Sequence, residues 1–256
     1  MYQEERLISI MNYLEQHKRI SVEKICDLFE VSRDTARRDL VKLEEQGDIV
    51  RTRGGAIFPT SPSQPVANYA RRLQVGSDQK RQIGKKAADL ILPGDKVILD
   101  ASTTVQSCAE QIGPVPCTII TNSINQADIL SSNTVANIFL LGGTLEKQHR
   151  FLYGASVLDK LSNYYVDKAF IGVVGISEQG LTIAQEEDGM VKRKVIQQAK
   201  QVIVLADYTK IGVTDFYQFA TLDEIDLLIT DETPDKYFTD LLKANNVELL
   251  VTNDHV

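Results

Sequence analysis

The chain is predicted to fold as a small winged helix-turn-helix domain followed by a larger α/β domain, and three features of its 256 residues predict this. Residues 31–55 contain an arginine-rich amphipathic segment followed by a Gly-Gly turn. A stretch of prolines and small polar residues comes next, at 59–65. From residue 78 onward, helical segments alternate with short apolar strands, which is typical of a largely parallel sheet covered on both faces.

Two amphipathic helices are predicted before the arginine-rich segment. The first spans 4–16, where apolar residues recur at three- and four-residue spacing. The second is shorter, begins after the natural N-cap Ser21 and ends at the turn Glu30-Val31. The residues expected to be buried are Leu7, Ile10, Met11 and Leu14 in the first helix and Val22, Ile25, Leu28 and Phe29 in the second.

The third helix is predicted to begin after the N-cap Ser32 and to end at Gly47. Its residues Ala36, Leu40 and Leu43 share one face, which therefore packs inward. A hairpin follows, because residues with strand propensity flank a turn whose glycines permit positive backbone angles. The flanking residues are Ile49, Val50, Ile57 and Phe58, and the turn is Arg53-Gly54-Gly55.

The polar face of this helix and the hairpin carry the residues expected to contact DNA. A helix that enters the major groove presents base-reading side chains near its start, and cations beside it meet phosphates. The acidic residues Asp34 and Asp39 lie among the arginines. They either hold the arginines in place through side-chain pairs or are helix-start acids that interact favourably with the helix dipole. The first interpretation is preferred for Asp39. The predicted contacts are Ser32, Arg33, Thr35, Arg37, Arg38, Arg51 and Arg53.

Composition restricts the function classes. The net charge of −7 argues against a non-specific nucleic-acid binder and suits a sequence-specific one with a local basic patch. No apolar run approaches the roughly 20 residues that span a bilayer, and the charged N-terminus is unlike a secretory signal, so a cytoplasmic protein is expected. Three separated cysteines and three scattered histidines predict neither a disulfide framework nor a metal site. The predicted boundaries are 1–58 for the DNA-binding domain, 59–76 for a linker and 77–256 for the α/β domain.

The α/β domain is predicted to bind a ligand at the carboxyl ends of its strands, where ligands of open α/β sheets bind. Hydroxyl-rich loops follow the strands and lead into helices, which favours a bound phosphate, with Lys210 as counter-charge. Asp100 or Asp207 is expected to accept hydrogen bonds from sugar hydroxyls. The candidate residues at the strand ends are Asp100, Ser102, Thr103, Thr104, Thr121, Asn122, Ser123, Gly142, Gly143, Asp207 and Lys210.

Along nearly its full length the chain resembles the DeoR family of bacterial transcriptional regulators. In the first domain the resemblance rests on Val31-Ser32, Thr35, Arg37 to Leu40, Leu43-Glu44, Gly47 and Arg51 to Ala56. In the second it rests on the strand-end motifs above and on Asp167 to Gly172, Gly175 to Ser177, Gly180 to Thr182 and Val191 to Arg193, which add Gly175 and Lys192 to the candidate effector-binding residues.

The resemblance implies a sensor domain similar in fold to ribose-5-phosphate isomerase that binds a phosphorylated sugar or related metabolite without catalysing a reaction or needing a cofactor. It also implies a repressor of sugar uptake or catabolism, although a winged domain alone leaves activation open. A single winged domain reads few base pairs, so a homo-oligomer on paired half-sites of double-stranded DNA is expected. The alternative is a sugar-phosphate isomerase with an appended DNA-binding domain, its chemistry drawn from Asp167, Glu186, Glu187, Lys192 and Lys210.

Overall fold

The computed structural model of the chain describes residues 3–45, 49–57 and 69–252. Its contacts divide it into two compact units, Met1–Asn68 and Tyr69–Val256. Each unit contains its own apolar core, so the hydrophobic stabilisation of each is internal. A small N-terminal domain and a larger α/β domain is the architecture that the sequence predicted.

The smaller unit contains a helix-turn-helix followed by a wing, a β-hairpin beside the last helix. Its sheet has the strand order β1-β3-β2, with antiparallel pairing throughout. The strand that precedes α2 was not predicted, because three residues with a single buried side chain give no periodic signal. The described elements are α1 (Gln3–His17), β1 (Arg19–Ser21), α2 (Val22–Phe29), α3 (Arg33–Glu45), β2 (Val50–Thr52) and β3 (Gly55–Ile57).

The predicted apolar stripes form the core of the smaller unit, except at Leu28, which was wrongly expected to be buried: it is 42% exposed, because the face of α2 that packs against the core carries Val22, Ile25 and Phe29. Leu7, Ile10, Met11 and Leu14 of α1 are buried in one cluster with residues of α2 and α3. The cap of α2 is as predicted, since the Ser21 hydroxyl accepts a hydrogen bond from the Lys24 N–H at 3.1 Å. A left-handed residue, Glu30 at φ 52°, ends the helix and makes the turn. The predicted helix end at Gly47 and the strand residue Phe58 lie outside the described residues.

The glycines of the wing are needed for a different reason than the one predicted. Neither Gly54 nor Gly55 has a positive φ, so the expectation of positive backbone angles is wrong. A Cβ on Gly55 would instead lie 2.0 Å from the carbonyl oxygen of Ile20, on the neighbouring strand β1. Glycine is therefore required at position 55 by the contact with β1, a strand that the sequence did not predict.

The larger unit is built around a parallel sheet. Its strands pair in the order β15-β14-β12-β9-β4-β5-β6, and every one of these pairings is parallel. The sequence predicts apolar strands at 97–100, 117–121, 138–141, 169–173, 201–206 and 227–230, and all six are present. A seventh strand, at 248–251, is added at one edge. The strands of the unit are β4 (Lys96–Leu99), β5 (Thr118–Thr121), β6 (Asn137–Leu140), β7 (Thr144–Glu146), β8 (Phe151–Tyr153), β9 (Val166–Gly172), β10 (Gly175–Ser177), β11 (Gly180–Ile183), β12 (Ala199–Leu205), β13 (Tyr217–Ala220), β14 (Leu227–Thr230) and β15 (Glu248–Val251).

Helices cover the sheet on both faces. Alternate residues of one strand enter different apolar clusters: Ile98 belongs to one, and Val97 and Leu99 belong to the other. This is why the strands read as continuous apolar runs. The helices are α4 (Tyr69–Gln74), α5 (Ser77–Ala88), α6 (Thr103–Ala109), α7 (Ile124–Leu130), α8 (Ala155–Leu161), α9 (Glu186–Gln197) and α10 (Lys236–Ala244).

Two smaller sheets complete this unit. The strands β10, β11 and β13 form an antiparallel sheet, and β7 pairs with β8 in a hairpin. Neither sheet was predicted, because their strands are only three or four residues long.

The linker predicted over 59–76 differs from the structure at its end. Tyr69–Gln74 form α4, which belongs to the larger unit, and the Tyr69 side chain is 1% exposed. The prolines that carried the linker prediction, at 59–65, lie outside the described residues. The helix α4 was not predicted because its six residues contain too few apolar side chains to show a helical period.

Candidate DNA-binding surface and effector site

The start of α3 is held by two hydroxyl groups. The Ser32 oxygen accepts a hydrogen bond from the Thr35 N–H at 3.1 Å and lies 3.0 Å from the Thr35 hydroxyl. Ser32 is therefore the predicted cap of α3. The cap fixes the first turn of the helix, where the predicted base-reading residues begin.

The arginines of α3 and the wing are exposed. Three of them have an acidic neighbour at 3.3 to 3.9 Å, and in each of these pairs both side chains are exposed. Exposed ion pairs contribute little to stability, about 0–1 kcal/mol. The guanidinium groups are thus available to exchange their acidic neighbour for DNA. The three pairs are Arg33–Glu23, Arg37–Asp34 and Arg51–Glu44, and Arg38 and Arg53 are exposed as well.

Asp39 was expected to hold the neighbouring arginines of the DNA-reading face, and this interpretation is wrong. Its side chain is fully buried and pairs with Arg6 of α1, with a distance of 2.6 Å from Nε to Oδ2 and 3.2 Å from Nη2 to Oδ1. Gln3 donates a further hydrogen bond at 3.0 Å. The hydrogen bond to Asp39 raises the pKa of Arg6, although burial opposes the rise. Asp39 therefore joins α3 to α1 inside the domain.

In the larger unit, Asp100 lies at the centre of the carboxyl edge of the sheet. Its Oδ1 accepts from the Ser102 N–H at 2.8 Å, and its Oδ2 accepts from the Gly172 N–H at 2.8 Å and from the ammonium of Lys192. Both oxygens are thus engaged within the protein, and whether Asp100 also accepts a hydrogen bond from a sugar hydroxyl stays a prediction. Burial alone would lower the pKa of Lys192, but Asp100 and Asp188 raise it overall. Lys192 therefore stays charged although it is buried.

In the hydroxyl-rich loop after β4, Ser102 packs closely against the backbone of Gly172. Ser102 caps α6 by accepting from the Val105 N–H at 3.2 Å. Its Oγ would lie 2.1 Å from a Cβ on Gly172, so only glycine fits there. Thr103 and Thr104 follow in the first turn of α6, and both are buried.

The loop after β5 is joined to the first loop by Gln126, which sequence reasoning missed. Gln126 is buried, donates to the carbonyl oxygen of Asp100 and accepts from the Thr121 hydroxyl at 3.2 Å. Its own N–H donates to the Ser123 hydroxyl at 3.3 Å. Asn122 donates to the Leu152 carbonyl at 3.1 Å. The side chains predicted to meet a ligand here stabilise the two loops against each other.

Three glycines were predicted to contact the effector. At two of them close packing leaves no room for a side chain, and the third is exposed. A Cβ on Gly143 would lie 2.5 Å from the Tyr153 carbonyl oxygen, and one on Gly175 would lie 2.3 Å from that of Val213. Gly142 is exposed, with open space around its Cα. Whether any of them contacts an effector stays a prediction.

Asp207 and Lys210 lie in the loop after β12, beside a lysine that was not predicted. Asp207 accepts from the Thr209 N–H at 3.1 Å and from its hydroxyl, and so caps the short 3-10 turn Tyr208–Lys210. The unpredicted residue is Lys80, which donates to the Val75 carbonyl at 2.6 Å and to that of Arg72. Burial lowers the pKa of Lys80 to about 8, with Asp207 opposing and Lys210 adding to the change.

The helix α4 contributes two further side chains that sequence reasoning missed. The Tyr69 hydroxyl donates to Gln106 Oε1 at 2.6 Å. The Arg72 guanidinium lies 5.4 Å from the centre of the Tyr69 ring, and its Nη2 lies 3.3 Å from His149 Nδ1. The only signal in the sequence was the spacing Tyr69-x-x-Arg72, which puts both side chains on one face of a helix.

One of the carboxylates on which the isomerase alternative depends lies at the wrong end of the sheet. Asp167, its candidate base, is the second residue of β9 and accepts from the Lys96 N–H at 2.9 Å, at the amino end of both strands. The carboxyl edge with Asp100 and Lys192 lies at the other end of those strands. Asp167 therefore cannot act on a sugar bound at that edge.

Over the described residues, no helix is long and apolar enough to cross a membrane. A search of the same residues finds no group of three or more His, Cys, Asp or Glu side chains arranged to hold a metal ion.

A winged helix-turn-helix with an exposed arginine face, joined to a parallel α/β domain with a polar carboxyl edge, defines a DNA-binding regulator with a sensor domain. Comparison with known families agrees. The DeoR-like helix-turn-helix domain matches residues 6–62, and the DeoR C terminal sensor domain matches residues 76–232. The chain belongs to the DeoR family of transcriptional regulators, and it is not an enzyme.

Curated relatives align over almost the whole chain. The HTH-type transcriptional repressor GlcR of Bacillus subtilis (strain 168) is 66% identical and covers 98% of this chain and 97% of the relative. The HTH-type transcriptional regulator GolR of Listeria innocua is 32% identical, over 92% of this chain and 93% of GolR. The putative aga operon transcriptional repressor of Escherichia coli O157:H7 is 30% identical over 98% and 94%.

Among solved structures, similarity is distant. Ribose 5-phosphate isomerase A from Methanocaldococcus jannaschii gives a TM-score of 0.39 at 18% identity, covering 53% of this chain and 54% of that chain. The translation initiation factor eIF-2B from Pyrococcus horikoshii OT3 gives a TM-score of 0.40 at 13% identity, covering 84% of this chain and 69% of that chain. Likeness at this level carries no information on function.

Proposed function

We propose that the chain is a cytoplasmic repressor that binds operator DNA as a homo-oligomer and releases it when a phosphorylated sugar binds to the sensor domain. The observation that carries the DNA-binding part is the exposed arginine face of α3 and the wing. There the arginines have only exposed acidic partners, so giving up those partners for DNA phosphates and bases costs little. The 66% identity to a protein named a transcriptional repressor supports repression over activation.

The sensor part of the proposal is supported by the polar residues at the carboxyl edge of the sheet. Thr103 and Thr104 follow the capped start of α6, and Lys210 is a half-buried cation in the loop after β12. A phosphate between the hydroxyl loop and Lys210 would be bound by backbone N–H groups, hydroxyls and one ammonium. The other residues predicted at this site would form its walls: Thr121 to Ser123, Gly142, Gly143, Gly175, Lys192 and Asp207.

An oligomer is proposed on energetic grounds. One winged domain contacts too few base pairs to select an operator among the competing sites of a genome, and paired half-sites double the number of contacts. The effector must then favour the arrangement of the oligomer that does not fit the operator. A coupling of about 1–3 kcal/mol is typical of such regulators.

The test begins with selection of bound sequences from a library of random duplex DNA, followed by anisotropy titrations of the best sequence. Hexose and pentose monophosphates, the corresponding free sugars and inorganic phosphate are then added. We expect one sugar monophosphate to weaken operator binding and its dephosphorylated form to have no effect. Sedimentation of the complex gives the number of chains on each operator.

Two variants sharpen the test. Lys210→Ala should keep its operator affinity and lose the response to the sugar phosphate, whereas Lys236→Ala, an exposed lysine on α10, should behave as wild type. Tight operator binding that no compound in the panel changes would refute the sugar-phosphate part and leave the DNA-binding part standing. Operator binding that the compound strengthens would refute release as the mechanism.

A further inference from the structure

The charged side chains beside the buried pair of Asp100 and Lys192 continue through half-buried ones to α4, the first helix of the sensor domain. Arg72 on α4 and Asp188 on α9 are close enough that the charge of each shifts the pKa of the other. The charges of Asp100 and Glu146 also shift both pKa values. Lys192 lies 3.8 Å from Asp188 and is paired with Asp100. Residues far apart in sequence thus share one cluster.

Two polar atoms of this cluster are buried and have no hydrogen-bond partner among the residues that the structure describes. They are Nε of Arg72, a donor, and Oδ1 of Asp188, an acceptor. Leaving a buried polar group unsatisfied costs about 1–3 kcal/mol, and native proteins keep few such groups. An unused donor and an unused acceptor in the same cluster suit a ligand group that both accepts and donates, as a hydroxyl does.

The charge balance of the cluster argues against a phosphate at this position. Arg72 and Lys192 face three carboxyl groups, those of Asp100, Asp188 and Glu146, so the cluster has no excess positive charge. A neutral hydroxyl can bind there without adding a buried charge. The phosphate of the same ligand would lie on the side of Lys210, where the cation is half-buried.

The Arg72 guanidinium is held in place by its neighbours. Burial and the charge of Arg72 lower the pKa of His149, which keeps the imidazole neutral, so that its Nδ1 can accept from Nη2 of Arg72. The Tyr69 ring lies against the guanidinium. A binding group held in one orientation loses little entropy when a ligand arrives.

We propose that Arg72 and Asp188 form the subsite for the sugar hydroxyls of the effector, with Arg72 Nε donating to the bound sugar and Asp188 Oδ1 accepting from it. The inference rests on the proposed function, since it requires a sugar phosphate in the sensor domain. It places a specificity-determining residue on a segment that reads as linker in the sequence.

The position of α4 gives the subsite a second consequence. The helix is attached to the sensor domain by the Tyr69 N–H and hydroxyl, which donate to the Gln148 carbonyl and to Gln106, by the contact between Arg72 and His149, and by the Lys80 ammonium, which donates to the Arg72 carbonyl. The helix begins at residue 69, directly after the segment that leads from the DNA-binding domain. A sugar bound to Arg72 therefore contacts the first element of the sensor domain.

The experiment compares Arg72→Lys and Asp188→Asn with wild type in the full chain. Arg72→Lys keeps the charge and removes the Nε donor, while Asp188→Asn turns an acceptor into an amide. Binding of hexose and pentose monophosphates and of inorganic phosphate is measured by calorimetry or competition. Arg81→Lys and Asp240→Asn, at exposed positions on α5 and α10, are the matched controls. Melting temperature and operator affinity are recorded for every variant.

We expect both variants to lose about tenfold or more in affinity for the sugar phosphate that wild type prefers, because a buried hydrogen bond to a charged group is lost. The order of preference of the two variants among the sugars should change, while their binding of inorganic phosphate should not. The two control variants should bind every compound as wild type does. A structural role alone would change the melting temperature and leave the order of preference intact.

Three results would overturn the inference. Unchanged sugar-phosphate affinity and preference in both variants would show that the pair does not contact the sugar. An equal loss for inorganic phosphate would assign Arg72 to the phosphate instead. If wild type binds no sugar phosphate at all, the sensor part of the proposed function fails and the subsite fails with it, a pattern distinct from the other two.

Discussion

The charged residues of the two domains are held in opposite ways. On the DNA-binding surface, Arg33, Arg37 and Arg51 have acidic partners at 3.3 to 3.9 Å, and every side chain in these pairs is exposed. At the sensor site, Lys192 and Asp100 are at most 3% exposed and directly bonded. A pair in water is easily exchanged for another partner, whereas a buried pair must stay intact because a lone buried charge is costly. The first arrangement suits reversible binding to DNA, and the second suits a rigid binding site.

The largest effect that follows from this contrast is on stability. Lys192→Met leaves the Asp100 carboxylate buried without its cation, so the free energy of unfolding should fall by about 3–5 kcal/mol. Urea denaturation of the full chain followed by circular dichroism measures this. Arg33→Met, which removes one exposed pair, should change it by less than about 1 kcal/mol. Similar losses in the two variants would break the comparison.

The DNA-binding domain offers the same contrast within one helix. Asp39→Ala removes a buried carboxylate that accepts from Arg6 and Gln3, and should cost about 2–3 kcal/mol in unfolding free energy. Asp34→Ala, on the exposed face, should cost less than about 0.5 kcal/mol. If Asp39→Ala melts as wild type does but loses operator affinity, the acid acts on the reading face after all.

A smaller effect is expected where the exposed arginines meet DNA. Arg37→Ala should lose about 1–3 kcal/mol of operator affinity and relax the preference at one base pair, with an unchanged melting temperature, if Arg37 contacts a base edge. Anisotropy titrations against the selected operator and its single-base variants check this. Loss of affinity without any change in preference would move Arg37 to the phosphates.

Arg53, in the turn of the wing, should behave differently. Arg53→Ala should weaken binding evenly across sequences and reduce the slope of log affinity against log salt by about 1, because one phosphate contact is lost. Titrations at several salt concentrations give the slope. The same loss of specificity in Arg37→Ala and Arg53→Ala would show that the two roles are wrongly assigned.

The last effect concerns Lys80 and pH. Burial lowers the pKa of Lys80 from 10.5 to about 8, so between these values the unfolded chain binds more protons than the folded one. The contribution of Lys80 to stability should therefore rise with pH across this window and be flat below it. The difference in unfolding free energy between wild type and Lys80→Met, measured from pH 7 to 10.5, isolates this term from Asp207, Lys210 and the other titrating groups. A difference that falls with rising pH would mean that the field of Asp207 outweighs burial.

Much of this protein could be predicted because its signals are local. The apolar stripes of α1 and α3, the caps Ser21 and Ser32 and the continuous apolar strands are each visible within about a dozen residues. Strand ends of a parallel sheet meet at one edge, so Asp100 could be assigned to the carboxyl edge of the sheet from sequence order alone. The elements that were missed, β1 and α4 among them, are too short to show a period.

The sequence by itself therefore determined the two-domain architecture, the reading helix and the edge of the sheet where polar residues gather, since periodicity, capping and strand order are properties of neighbouring residues. Only the tertiary structure decided which partners the charged residues take. Asp39 pairs with Arg6 instead of a nearby arginine, Asp100 is occupied by Lys192, and Arg72 joins the sensor site. The physical reason is that burial selects a partner for a charge by which elements pack against each other, and that packing joins residues more than thirty positions apart.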